Sequence, residues 1–131
     1  MAAGILAAAI VAVSGACTSS SKVNTVSAQE FEQGIEQTGV QVLDVRSGAE
    51  YSEGHIKDAE NINVDSPEFM NVARLKLSKD KPVYVYCRGG RRSLEAADIL
   101  VNNGFKVVNL DGGLNNWKSE GLPVVTDSVP K

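Results

Sequence analysis

Histidine and cysteine are nearly missing from this chain: His55 stands alone, and Cys17 and Cys87 are the only thiols. Metal centres need several such ligands at characteristic spacing, so no metal is expected, and no ligand cluster for an organic cofactor is seen either. Basic residues are not in excess either. Thirteen Lys and Arg against sixteen Asp and Glu leave a net charge of −3, which argues against broad affinity for nucleic acid or an anionic membrane. The one long apolar run, residues 4–13, is too short to span a bilayer. No internal repeat or low-complexity segment interrupts the rest. At 131 residues, 43% hydrophobic and 22% charged, the chain has material for one domain with one core, expected to act as a monomer.

The positive charge that exists is concentrated in one place. Val83-Tyr84-Val85-Tyr86 reads as a buried strand, with Pro82 before it. Residues 93–101 carry apolar positions at helical spacing. Between them lie Cys87, Arg88, Gly89, Gly90, Arg91 and Arg92. Glycines let successive backbone N–H groups turn toward one point, and the following helix aims its positive end there. Helix termini and nearby cations lower a thiol pKa from ~8.5 to between roughly 3.5 and 7.5, so Cys87 is a candidate nucleophile. A buried cysteine with a purely apolar role is the commoner case, but such a residue has no use for three arginines beside it.

Cys87-Arg88-Gly89-Gly90-Arg91-Arg92-Ser93 resembles the active-site loop of rhodanese-type sulfurtransferases, whose common form is Cys-Arg-x-Gly-x-Arg followed by Ser or Thr. The likeness continues in Leu43-Asp44-Val45-Arg46, Glu50-Tyr51, Gly54-His55-Ile56, Ala59 and Asn61-Ile62, which look like that family's first signature. Asp111-Gly112-Gly113 with Trp117, then Gly121-Leu122-Pro123-Val124, resembles its closing segment. The resemblance implies a rhodanese-like α/β domain over residues 25–126, with a central parallel sheet and helices on both faces. The alternation of strands and helices implies the same architecture.

Residues 1–16 are uncharged, and Ser14-Gly15-Ala16 precede Cys17. This resembles a bacterial lipoprotein signal, so residues 1–16 are expected to be a signal peptide and Cys17 a lipidated residue. Residues 17–24 would form the flexible tether and 127–131 a loose tail. The expectation is an exported, cell-envelope or periplasmic protein held to the membrane by lipid alone. A lipid on Cys17 leaves Cys87 without a disulfide partner, as a working thiol requires.

Within the domain, Ser27 with Glu30 and Ser47 with Glu50 form capping boxes that open helices. The first helix runs toward Gly39, and residues 40–45 are a strand. Asp44 and Arg46 fall at its carboxyl end, where open α/β sheets place ligands. Residues 61–64 are expected as a strand, and a helix from Ser66-Pro67-Glu68 runs to about Leu75. Residues 106–110 are a strand and 114–120 a helix. His55 and Trp117 are read as scaffold.

The resemblance implies a two-step transfer. Cys87 takes sulfane sulfur from a small anionic donor such as thiosulfate, and a thiol acceptor (a thioredoxin-like protein among them) or cyanide removes it. Arg88 and Arg91 would attract the donor, while Arg92 either joins them or folds back to brace the loop. Gly89, Gly90, Ser93, Asp44 and Arg46 complete the expected substrate-binding residues. Three alternatives stand: a persulfide carrier, a non-catalytic module of the same fold, and a cysteine-dependent phosphatase or arsenate reductase. The last kind of loop needs an Arg where this chain has Ser93.

Overall fold

The computed structural model describes residues 23–126. The expected signal peptide, Cys17, the start of the tether and the tail lie outside the described residues. Strands β1 (Val23–Val26), β2 (Gln41–Asp44), β3 (Glu60–Asn61), β4 (Val83–Tyr86) and β5 (Val107–Leu110) alternate with helices α1 (Ala28–Ile35), α2 (Gly48–Glu53), α3 (Phe69–Lys76), α4 (Arg91–Asn102) and α5 (Gly113–Ser119). The strands form one parallel sheet in the order β1-β5-β4-β2-β3. The strand that leads into Cys87 is therefore the central one.

Side chains on a strand alternate between faces, and β4 uses both. Val83, Val85 and then Cys87 join a cluster with Leu43, Val45, Phe69, Ala73, Ala97 and Leu100, which is the face covered by α3 and α4. Tyr84 and Tyr86 turn to the opposite face, against Phe31, Leu114 and Trp117 of α1 and α5. Phe31 meets the rings of Tyr84, Tyr86 and Trp117 edge-on, with centroids 5.2, 6.4 and 6.1 Å away. The Ser27–Glu30 capping box is present, but a cap contributes about 1 kcal/mol. Deleting a buried Phe ring costs about 3–5 kcal/mol. Packing is what holds α1.

Four expectations need correction. Val23 and Asn24 are not tether: they pair with Val107 and Val108 as the edge strand β1, a short VNTV segment with too little pattern to stand out alone. The helix α1 stops at Ile35, and Gly39, with φ +87°, turns the chain beyond it. The strand expected at residues 61–64 is a two-residue pairing, Glu60 and Asn61 against Leu43 and Asp44. Ser66 does not cap α3. Its hydroxyl accepts the Glu68 N–H within a turn, and the helix begins at Phe69.

Candidate active site

Parallel pairing aligns the strand ends. Asp44 sits opposite Tyr86, and Val85 opposite Asn109. The segments that follow β2, β4 and β5 thus emerge side by side at one edge of the sheet, which is where the expected site residues meet.

Cys87 follows β4 directly and is 1% exposed. The N–H of Gly90 donates to its sulfur at 3.0 Å, and Ser93 Oγ lies 3.5 Å from Sγ while donating to the Gly90 carbonyl at 3.2 Å. Gly90 has φ +105° and is the N-terminal cap of α4, so the turn over the sulfur depends on a residue at ease with positive φ. The helix starts at Arg91, two residues before the sequence suggests. Residues 91–93 are thus its first turn, whose amides have no carbonyl partner within the helix, and its positive end adjoins the sulfur. Cys87 is a free thiol.

The other side of the loop is fixed from α5. Leu114 N–H donates to the Cys87 carbonyl at 2.8 Å, and Asn115 N–H to the Arg88 carbonyl at 3.0 Å. This approach requires Gly113: a Cβ there would stand 2.5 Å from the Arg88 oxygen and 2.7 Å from the Cys87 oxygen. Asp111-Gly112-Gly113, legible as a turn, is therefore also the piece that seats the loop.

The three loop arginines divide. Arg88 and Arg91 are exposed. Arg92 turns away and grips Glu50 of α2 with both terminal nitrogens, at 2.9 and 3.0 Å. That grip is the chief reason the Glu50 carboxyl falls to about 2, helped by the Ser47 hydrogen bonds and opposed by burial. The same bond raises Arg92. Glu50 is a residue whose role sequence reasoning missed. It reads as half of a capping box, which it is, but its carboxylate also anchors the first turn of α4.

Asp44 and Arg46 lie at the same edge, but Asp44 is 0% exposed and Arg46 4%. Arg46 Nε and Nη2 bond the Asp44 carboxylate at 2.7–3.1 Å, and Nη2 also donates to the Gly54 carbonyl at 2.7 Å. Burial works against the Arg46 charge, but the Asp44 bonds and charge outweigh it and its pKa is raised. Asp44 and Arg46, both expected among the substrate-binding residues, are thus bonded to each other, and Asp44 also bonds the Tyr86 hydroxyl. Beneath them, burial pushes the Tyr86 phenol far above its ordinary range, with the Asp44 charge adding to it. Its oxygen accepts the Ile56 N–H at 3.0 Å.

His55 is 3% exposed, stacked on Tyr51 at 3.7 Å, with Nδ1 2.9 Å from the Tyr51 carbonyl. Trp117 is buried and donates its indole N–H to the Pro123 carbonyl at 2.8 Å. Both are buried and bonded within the frame, the placement expected of scaffold. Among the described residues no group of three His, Cys, Asp or Glu is placed to hold a metal.

Residues 27–120 match the family model of the rhodanese-like domain. A sulfurtransferase of Allochromatium vinosum is 33% identical over 105 residues, covering 79% of this chain and 95% of its own. The thiosulfate sulfurtransferase GlpE of Pseudomonas fluorescens is 38% identical over 92 residues, covering 69% and 81%. Among solved structures, a rhodanese-related protein of Thermoplasma volcanium superimposes with a TM-score of 0.70 at 32% identity, covering 78% of this chain and 97% of that one.

Proposed function

Because this chain belongs to the rhodanese-like domain family, we propose that it is a sulfurtransferase that carries sulfane sulfur on Cys87 and takes it from thiosulfate or a similar small anion. The Cys87 thiolate attacks the outer sulfur of the donor. A sulfur–sulfur bond forms to Sγ, the donor's own S–S bond breaks, and sulfite leaves with the bonding pair. The persulfide sulfur then sits over the Gly90 N–H and the first turn of α4, where amide dipoles favour negative charge. An acceptor thiolate, such as that of a thioredoxin-like protein, attacks the outer sulfur and Cys87 departs as thiolate.

The observation that carries this reading is the Gly90 N–H on Cys87 Sγ at the start of α4, with Arg88 and Arg91 exposed beside it. A phosphatase reading is less well served. The position of that enzyme's arginine is the buried Ser93, and the adjacent Arg92 is spent on Glu50. Treatment with thiosulfate should raise the intact mass by one sulfur atom, and cyanide should reverse it. Cys87→Ser should abolish the gain. A rate on a phosphate ester with no reaction of thiosulfate overturns the assignment.

The sequence before Val23 supports a further part of the proposal: export, and attachment to the membrane through lipid on Cys17. Detergent partitioning of the full chain into the hydrophobic phase, lost in Cys17→Ala, is the expected result. Equal partitioning of both forms removes the anchor.

A further inference from the structure

A parallel sheet gives the domain two ends of different character. Every strand finishes at the Cys87 edge, so every strand begins at the opposite one, and β1 begins there at Val23. Residues 1–22 are therefore joined to the domain at the end remote from the sulfur. Helices α3 and α4 also finish there, because each returns the chain from the Cys87 edge to the start of the next strand.

That remote end is basic. Arg74, in the last turn of α3, donates through Nη2 to Asn103 Oδ1 at the close of α4, at 3.1 Å. Lys79 lies over the Phe105 ring, its Nζ 5.6 Å from the centroid. The Lys81 carbonyl accepts from Gln41 Nε2 at 3.2 Å, and the Lys106 carbonyl accepts the Val83 N–H at 2.9 Å. All four cations are exposed, and none belongs to an ion pair among the described residues. Asp80 stands among them, while Glu60 at this end is matched by Lys76 at 2.9 Å. Helix C-termini attract cations, which accounts for Arg74, but the three lysines lie in the turns that lead into β4 and β5. Leu75, also in the last turn of α3, is 86% exposed, the barest large apolar side chain among the described residues. A chain of net charge −3 has thus gathered spare positive charge, with an apolar side chain beside it, where its N-terminal segment enters.

Resting on the reading that Cys17 carries lipid, we propose that this end lies on an anionic bilayer and holds the domain with the Cys87 loop toward the water. Residues 17–22 reach at most about 20 Å when extended, so an anchor on Cys17 keeps the basic end near the headgroups. Lipid and patch together supply the two signals that stable attachment takes. Each Lys or Arg near the surface strengthens binding about fivefold, and Leu75 enters the headgroup layer. Donor and acceptor of sulfur are then both met from solution, because the loop is turned away from the lipid.

The test is binding of the lipid-bearing full chain to vesicles of phosphatidylcholine alone and of phosphatidylcholine with phosphatidylglycerol. The wild type should prefer the anionic vesicles. Lys81→Gln and Lys106→Gln should each weaken that binding about fivefold and change binding to neutral vesicles less than twofold. Arg91→Gln, at the opposite end, should change neither. An unaltered melting temperature checks that the variants fold. Iodoacetamide should alkylate Cys87 at the same rate with and without anionic vesicles. Equal binding to the two vesicle types, an Arg91→Gln loss matching those of the lysine variants, or slowed alkylation overturns the proposal. So does binding of soluble polyphosphate that anionic vesicles fail to compete, which would give the patch to a dissolved polyanion. Failure of the anchor shows separately, as equal detergent partitioning of the wild type and Cys17→Ala.

Discussion

Two arginine-bearing segments leave the same edge of the sheet and meet opposite fates. After β2, Arg46 is folded under the surface and bound to Asp44 and the Gly54 carbonyl. After β4, Arg88 and Arg91 are exposed with no ion pair among the described residues, and only Arg92 is tied, to Glu50. The sequence places all of these side chains at the ligand edge, yet carboxylate partners decide which arginines are scaffold and which remain available to an anion. A cation with a buried acid at the right distance supports the frame. One without such an acid stays exposed, which is why the proposed function gives it to the donor.

If that division is correct, breaking each pair should injure stability, and removing a free cation should injure only binding. The largest effect is expected at Asp44→Ala, which strands a buried guanidinium. Loss of one partner of a buried pair costs about 3–5 kcal/mol, read as a lower urea midpoint and melting temperature. An unfolding curve matching the wild type would place Asp44 outside the frame.

Next comes Glu50→Gln. This pair is partly open to solvent, with side chains 22% and 29% exposed, so about 1–2 kcal/mol is expected after screening. The folded-state pKa lies below the ordinary 4.5, at about 2. Stability from Glu50 is therefore fully present above pH ~4.5 and is lost as pH falls toward 2. The stability gap between wild type and Glu50→Gln should close over that window. A gap that stays constant from pH 5 to pH 2 would separate Glu50 from the cause. The smallest stability effect belongs to Arg88→Ala and Arg91→Ala, each within about 0.5 kcal/mol as exposed positions. Their cost should appear instead as a several-fold higher KM for thiosulfate.

Much of this layout was legible before any coordinates. The capping boxes at Ser27 and Ser47, the alternating pattern around Val83, and the Gly/Arg loop are local signals, each complete within a few residues. What escaped was non-local. The edge strand β1 exists because β5 offers a partner for Val23–Val26, and no property of those four residues announces it. Glu50 reads as a cap because Ser47 is three residues away, whereas Arg92 reaches it across the fold. Asp44 and Arg46 were legible as neighbours at a sheet edge, but which atoms stay open depends on burial, and a linear pattern carries no depth.

The seat beneath the sulfur carries a mechanical consequence. With Gly113 wedged under the Cys87 and Arg88 carbonyls and two amides of α5 latched onto them, Cys87 rides on α5 as on a keystone. Under the proposed transfer, sulfur would be loaded and unloaded as on an anvil, on a seat pinned from below by α5.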